Sequence, residues 1–350
     1  MHVRANQISM GLPQLPDWPI FLKGGVAVSF FFVLSGFLIT YILFKELDET
    51  RTISIKNFYL KRVFRIWPLY FIIIIFGLSF YWYISPRLGY DFKNNYELST
   101  AIILYTFFCA NLMNSLYHVG GILNVTWSIA VEEQFYLIWA PLMKSGRNFM
   151  TIFISVFLMS FLIYVADLYN LFDLSRGYQS FLGKLEFHYM AVGAMFAYKV
   201  FDSPSELLNS WIFRSSIAQW LVTLLLLFYI LGYKRNFDLN IIEVLFSSVA
   251  FGWLIVNISI NPNKIYGLDN KVFNYLGRIS YGIYMYHMIA VYLVSFLIQK
   301  SYITEFLGVN HVVTIGATSI ITIVMASLSY RFCEVKILGV GRNFLVKSKL

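Results

Sequence analysis

Charge is scarce in this chain. Only 13% of its 350 residues are Asp, Glu, Lys or Arg, while 59% are hydrophobic; an ordinary soluble domain carries roughly 25% charged residues. A water-soluble core cannot absorb that excess, so a globular cytosolic protein is excluded. Cysteine is nearly absent as well. Cys109 and Cys333 lie in or beside apolar stretches, far apart and without a metal-ligand spacing. They read as buried free thiols, which imply no redox compartment and no metal. There is no internal repeat, no low-complexity tract and no linker long enough to separate a pair of globular domains. One domain over 1–350 is the simplest division, with an external loop at 1–20, a transmembrane core at 21–335 and a cytoplasmic tail at 336–350.

Long apolar runs take the place of what is missing. They fall at 24–44, 67–84, 99–116, 125–143, 149–171, 179–200, 214–233, 240–260, 280–299 and 310–330, most of them close to the roughly 20 residues that a helix needs to cross a bilayer. Hydrocarbon offers no partner to a backbone amide. Spanning segments are therefore helices or closed barrels, and a barrel would show short alternating strands instead. The expected fold is all-α, a polytopic transmembrane helical bundle with about nine spans.

The formal charge of +9 could suggest nucleic acid, but the basic residues sit in loops between spans, where they set topology. Arg51, Lys56, Lys61, Arg62 and Arg65 make the loop after the first run the densest basic one and place it in the cytoplasm. Lys336, Arg342, Lys347 and Lys349 place the C-terminal tail there too. Two points on the same side are joined by an even number of crossings, yet nine runs follow the basic loop. One run must fail to cross. The region 99–143 is the expected place, because its polar centre of Asn111, Asn114, His118 and Asn124 suits a re-entrant or partial helix. Irregular backbone at that depth needs protein or water around it. The stretch Met1 to Pro19, with Pro13, Pro16 and Pro19, resembles neither a signal peptide nor an anchor. It reads as an external connection whose preceding helix is missing, through a late start codon or a shortened chain.

Three polar clusters interrupt this apolar background. In Lys61-Arg62-Val63-Phe64-Arg65-Ile66-Trp67-Pro68, Arg62 and Arg65 stand three apart on one helical face, where they can grip phosphate oxygens or simply anchor lipid headgroups. In Trp127-Ser128-Ile129-Ala130-Val131-Glu132-Glu133-Gln134-Phe135-Tyr136, two adjacent carboxylates enter an apolar run. Ionisable groups there are functional or paired unless they sit in a water-exposed capping turn; Ser128 and Glu132 fall one turn apart. The third cluster, Gly277-Arg278-Ile279-Ser280-Tyr281 with the later Ser329-Tyr330-Arg331-Phe332-Cys333-Glu334, reads by itself as helix packing.

Together with Ser29-Phe30-Phe31-Phe32-Val33-Leu34-Ser35-Gly36-Phe37, these blocks resemble in order and spacing the acyltransferase 3 family, from about residue 24 to 334. The resemblance implies a bacterial inner-membrane protein, multi-pass with a cytoplasmic C-terminus, that moves acetyl or a similar acyl group from a cytoplasmic acyl-CoA, generally acetyl-CoA, to a carbohydrate hydroxyl. O-antigens, exopolysaccharides and peptidoglycan are the acceptors it suggests. His2 occupies the place of the family's catalytic histidine, and the basic partner that should precede it has no counterpart. A histidine titrating near neutral pH would take the sugar proton as the oxygen attacks the thioester. Glu132 would orient that histidine or the acceptor, and Lys61, Arg62 and Arg65 would face the CoA phosphates. Trp127, Ser128, Glu133 and Tyr136 are candidates for contacting substrate or the oxyanion. His118, His188, His287 and His311 are weaker candidates for the base. Direct transfer and an acyl-enzyme relay both fit, and an esterase-like periplasmic partner would be a separate chain. Two rival readings stand beside this one. A glycan or lipid flippase would also use midplane polar residues, although no inverted repeat is present; a truncated and inactive family member is the other.

Overall fold

The computed structural model describes residues 24–87, 92, 95–146, 148–231, 240–300 and 307–347. Every regular element among them is a helix. Six helical stretches are long and apolar enough to cross a membrane. The contacts divide the described residues into two compact units, the first holding 56–130 and 270–347, the second 24–55 and 131–269.

In the second unit, α1 (Gly24–Thr50) crosses α9 (Phe187–Asp202) at two glycines. A Cβ on Gly36 would strike the backbone of Met190, and one on Gly193 would strike the backbone of Val33. Lipid tails are as apolar as leucine, so close backbone packing, not hydrophobic transfer, draws such helices together. Both helices run in the same sense, since Phe44 late in α1 lies 5.2 Å from Phe201 and 5.5 Å from Tyr198 late in α9. The greater part of α6 (Thr126–Ser145) joins them through Trp139, whose indole N–H donates to Thr40 at 2.9 Å. The ring of α7 (Phe149–Leu168) nearest that contact, Phe153, stacks on Trp139 at 5.1 Å, and Phe149 meets Phe44 edge-on at 5.0 Å. Aromatic pairs of this kind contribute about 0.5–1.5 kcal/mol each beyond their burial. They close the end of the unit at which α1 finishes.

Two further helices, α12 (Ser216–Leu231) and α13 (Asn240–Ser259), are tied by a buried amide network. Gln219 donates to the carbonyls of Phe213 and Asn263 at 2.8 and 3.0 Å and accepts from Asn257 at 3.3 Å. The short α10 (Pro204–Asn209) and α11 (Trp211–Arg214) precede this pair. The apolar run at 179–200 is not one helix: α8 (Arg176–Gly183) stops against Asp167, and α9 begins at Phe187. The charges of Lys184 and Glu186 fall in the break.

The first unit contains α2 (Ile55–Ser79), continued through a π-helical turn at Phe80–Ile84, and the run at 99–116. That run is two short helices, α3 (Leu98–Thr106) and α4 (Ala110–Leu116), of 9 and 7 residues. At 1.5 Å per residue neither reaches half of a hydrocarbon core about 30 Å thick. The segment turns back at Phe108, which holds φ 54° and stacks on Tyr70 at 4.5 Å, while the Tyr70 hydroxyl donates to the Tyr105 carbonyl at 3.0 Å. The region expected to hold a partial helix thus contains two short helices, as the run at 179–200 is also interrupted. After α4 the chain passes Gly120, at φ 73° and beneath the Tyr81 ring, into α5 (Gly121–Asn124). The unit is completed by α14 (Lys271–Lys300), α15 (Leu307–Ser329), a π-helical turn at Tyr330–Glu334 and α16 (Val335–Lys347).

If the glycine crossing holds α1 to α9, Gly36→Val and Gly193→Val should each destabilise the protein by about 1–3 kcal/mol, the usual cost of overpacking. Thermal unfolding in detergent would show both midpoints lowered; an unchanged midpoint in either would contradict the crossing.

Candidate functional site

Glu132 lies in the second unit, on the face of α6 that meets α1. Its two carboxylate oxygens are held separately: the Ser35 hydroxyl donates to Oε1 at 3.0 Å and the Tyr136 hydroxyl to Oε2 at 3.1 Å. The Tyr136 hydroxyl also lies 3.0 Å from Ser35 Oγ, which closes a triangle. The geometry follows from spacing, since residues 132 and 136 stack one turn apart on α6. The neighbour of Ser35 on α1, Gly36, is a residue at which α9 packs closely against that helix. A carboxylate in such surroundings is tolerated only with partners of this kind. The arrangement gives an oriented acceptor of protons and hydrogen bonds, so the functional-or-paired alternative resolves to a paired group that is also positioned.

Ser128 lies one turn earlier on α6, in the portion belonging to the first unit. Its hydroxyl is 2.6 Å from that of Tyr284 on α14, and Tyr284 donates to the Val125 carbonyl at 3.0 Å. Ser128 is buried at 4% exposure. The same α14 turn carries His287, whose Nδ1 is 2.5 Å from the Tyr284 carbonyl.

The basic triplet sits in the first half of α2, also in the first unit. Lys61 and Arg65 are exposed and Arg62 is half-buried. The Arg62 guanidinium stands 5.7 Å from the Phe58 ring, a weak cation–π distance. As the three-residue spacing predicts, both arginines occupy one continuous helix.

Of the other candidates, Trp127 and Glu133 are half-buried on α6. His2 and His311 cannot be placed beside these groups: His2 lies outside the described residues, and the side chain of His311 is likewise not described. His118 stacks on Phe92 at 5.2 Å on an exposed loop. His188 is fully buried, with Nδ1 3.1 Å from Ser160 Oγ and the backbone N–H of His188 donating to the same oxygen at 3.0 Å. Among the described residues no group of three or more His, Cys, Asp or Glu is arranged to hold a metal ion. Sequence reading did not assign Ser35, Thr40 or Tyr284 to a site. The only signal for Ser35 and Thr40 was hydroxyls recurring inside an apolar helix, and for Tyr284 its place in a tyrosine-rich block.

Comparison with known proteins gives these groups a context. The family described as "Acyltransferase domain" matches residues 4–331. The chain is similar to the O-acetyltransferase OatA of Staphylococcus aureus strain NCTC 8325 / PS 47, with 27% identity over 94% of this chain and 55% of that protein. The OatA of strain COL matches with the same identity and coverage. The chain thus spans about half the length of these curated relatives. No solved structure matches it.

If the triangle is one cooperative unit, Ser35→Ala and Tyr136→Phe should each cost about 1.5–3 kcal/mol, the usual contribution of a hydrogen bond to a charged group. Their effects should also be coupled by about 0.5 kcal/mol or more. A double-mutant cycle of thermal unfolding checks this, and strictly additive losses would contradict it.

Proposed function

The chain belongs to the acyltransferase 3 family, and from that membership we propose that it is a membrane O-acyltransferase moving an acetyl or similar group from a cytoplasmic acyl-CoA to a carbohydrate hydroxyl. The observation that carries the proposal is the match over 4–331, whose polar blocks include an oriented carboxylate on α6. The similarity to proteins named O-acetyltransferase supports acetyl as the group transferred. The acceptor class is a surface glycan such as O-antigen, exopolysaccharide or peptidoglycan.

In the proposed reaction His2 takes the proton of the acceptor hydroxyl, the oxygen attacks the thioester carbonyl, and the C–S bond breaks. The thiolate of CoA leaves and the imidazolium returns the proton. Lys61, Arg62 and Arg65 bind the donor phosphates, for which a guanidinium pair one turn apart supplies bidentate, charge-assisted hydrogen bonds. Glu132 orients the base or the acceptor. Trp127, Ser128, Glu133 and Tyr136 are the proposed contacts to substrate or the oxyanion, the two hydroxyls exchanging the partners they hold here, Tyr284 for Ser128 and Glu132 for Tyr136, for the ligand. The donor is used on the cytoplasmic side of a bacterial inner membrane, and the C-terminus lies on that same side. Nine crossings in a single membrane domain satisfy this orientation, with α6, α9 and α12 added to the six long apolar stretches. Direct transfer and a relay of the acyl group through a periplasmic esterase-like partner both fit this reading.

Arg62→Ala and Arg65→Ala are expected to reduce glycan acetylation to background while membrane insertion is retained. His2→Ala should lower the rate by about 10²–10⁴-fold, the usual contribution of a general base, and Glu132→Gln should also impair it. Acetyl-ester content of the glycan from cells carrying each variant is the measurement. Unchanged ester content across the set would overturn these assignments.

A further inference from the structure

Three consecutive residues of α2 are held by the C-terminal part of the chain. The Tyr281 hydroxyl on α14 donates to the Ile66 carbonyl at 2.9 Å, across 215 residues of sequence. Glu334, at the end of the second π-helical turn and opposite in charge to Arg65, has its Oε1 beside Gly282, the residue after Tyr281. On α16, a Cβ at Gly341 would lie 2.7 Å from Cγ of Phe64, and the Phe344 ring stands 6.4 Å from that of Phe64. Residues 64, 65 and 66 are the end of the Arg62-x-x-Arg65 turn. That turn needs support, because Pro68 lies inside α2 and cannot donate to the carbonyl of Phe64.

The late motifs are built to deliver these contacts. Tyr281 belongs to Gly-Arg-Ile-Ser-Tyr and Glu334 to Ser-Tyr-Arg-Phe-Cys-Glu, the two blocks that helix packing alone left without a role. Gly282 permits the approach: a Cβ there would be 3.1 Å from Cβ of Ala326 and 3.5 Å from Oε1 of Glu334. The π-helical turn at Tyr330–Glu334 inserts an extra residue per turn, a feature that recurs at functional sites. Within that turn the Ser329 hydroxyl donates to Glu334 Oε1 at 3.1 Å, which aims the carboxylate.

The geometry points to Tyr281, Glu334 and Gly341 as positioning residues that set the Arg62–Arg65 turn for the phosphates of the acyl donor. The inference rests on the reading that these arginines bind the donor. It adds that their placement is set by α14 to α16 and not by α2 alone. None of the three need touch the donor; each acts through residues 64–66.

The test is steady-state kinetics of the full chain in membranes with acetyl-CoA as the varied substrate, alongside membrane yield and thermal unfolding midpoint. Glu334→Gln and Gly341→Leu should each raise the KM for acetyl-CoA by about tenfold, a loss of about 1.4 kcal/mol, with kcat little changed. Tyr281→Phe should raise it less. A merely structural role would lower yield, midpoint and apparent kcat, but leave the KM of the surviving enzyme unchanged. That result would overturn the proposal. Adding Phe64→Ala to Gly341→Leu should bring the KM back towards wild type, because the smaller side chain makes room for the leucine. Failure of this rescue, with the double variant folded, would also count against it. Arg65→Ala, whose turnover falls to background, is assayed by binding of labelled acetyl-CoA and separates the two levels of inference. If it leaves the Kd unchanged, the donor-binding reading fails and takes this proposal with it. If it raises the Kd while the three positioning variants leave both Kd and KM unchanged, only the proposal fails. Glu334→Gln should not raise the Kd further in an Arg65→Ala background, and a full additive effect there would contradict action through Arg65.

Discussion

Hydrocarbon cannot hydrogen-bond, and every polar group in this protein that lies among apolar helices must find its partner within the chain. Glu132 makes the greatest demand, because a carboxylate is the costliest group to bring into such a setting. Two hydroxyls meet it, one from its own helix and one from α1. That requirement fixes the rotation of α6 against α1, and the Trp139–Thr40 bond two turns later repeats it. Gly36, next to Ser35 and one turn before Thr40, lets α9 pack closely against the adjoining face of α1. The aromatic cluster around Phe44 then fills what remains. Polar satisfaction sets the register, and packing follows it.

The same logic runs through the first unit with different groups. Ser128 is paired with Tyr284, the Tyr105 carbonyl with Tyr70, and the backbone N–H of Ile122 with the Tyr81 hydroxyl. Tyrosine is well suited to this work, since its ring packs like an apolar residue while its hydroxyl reaches a distant carbonyl. The arginine turn is held in the same way, by the Tyr281 hydroxyl on the Ile66 carbonyl, with Gly341 packed against Phe64 beside it. In both units the residues proposed for chemistry are held by second residues whose own placement is tightly determined, which is how a site is kept oriented without a rigid loop.

Much of the fold was legible because the bilayer imposes a length on apolar runs, and most of the runs map onto helices. The parity of the basic loops even pointed to the region where a run breaks into short helices. What it could not locate was the turning point, because a phenylalanine at φ 54° carries no sequence signal. Helix ends differ from the ends of the apolar runs where apolarity and helicity diverge: α14 begins at Lys271, well before the apolar run at 280, and α1 continues through charged residues to Thr50. An apolar run measures hydrocarbon thickness, not helix length. At the site, the residue types were readable and their partners were not. Ser35 and Glu132 are 97 residues apart, Ser128 and Tyr284 156, and pairings at such separation are decided by the packing of whole helices. His2 gained its role from resemblance alone.

The fate of labelled acetyl groups tests acyl transfer most directly. Membranes containing the protein, supplied with radiolabelled acetyl-CoA on the cytoplasmic side and an acceptor glycan, should yield label bound to the glycan as an alkali-labile ester, with free CoA released in equal amount. Label carried across the membrane without ester formation, or CoA release no faster than in membranes lacking the protein, would contradict acyl transfer.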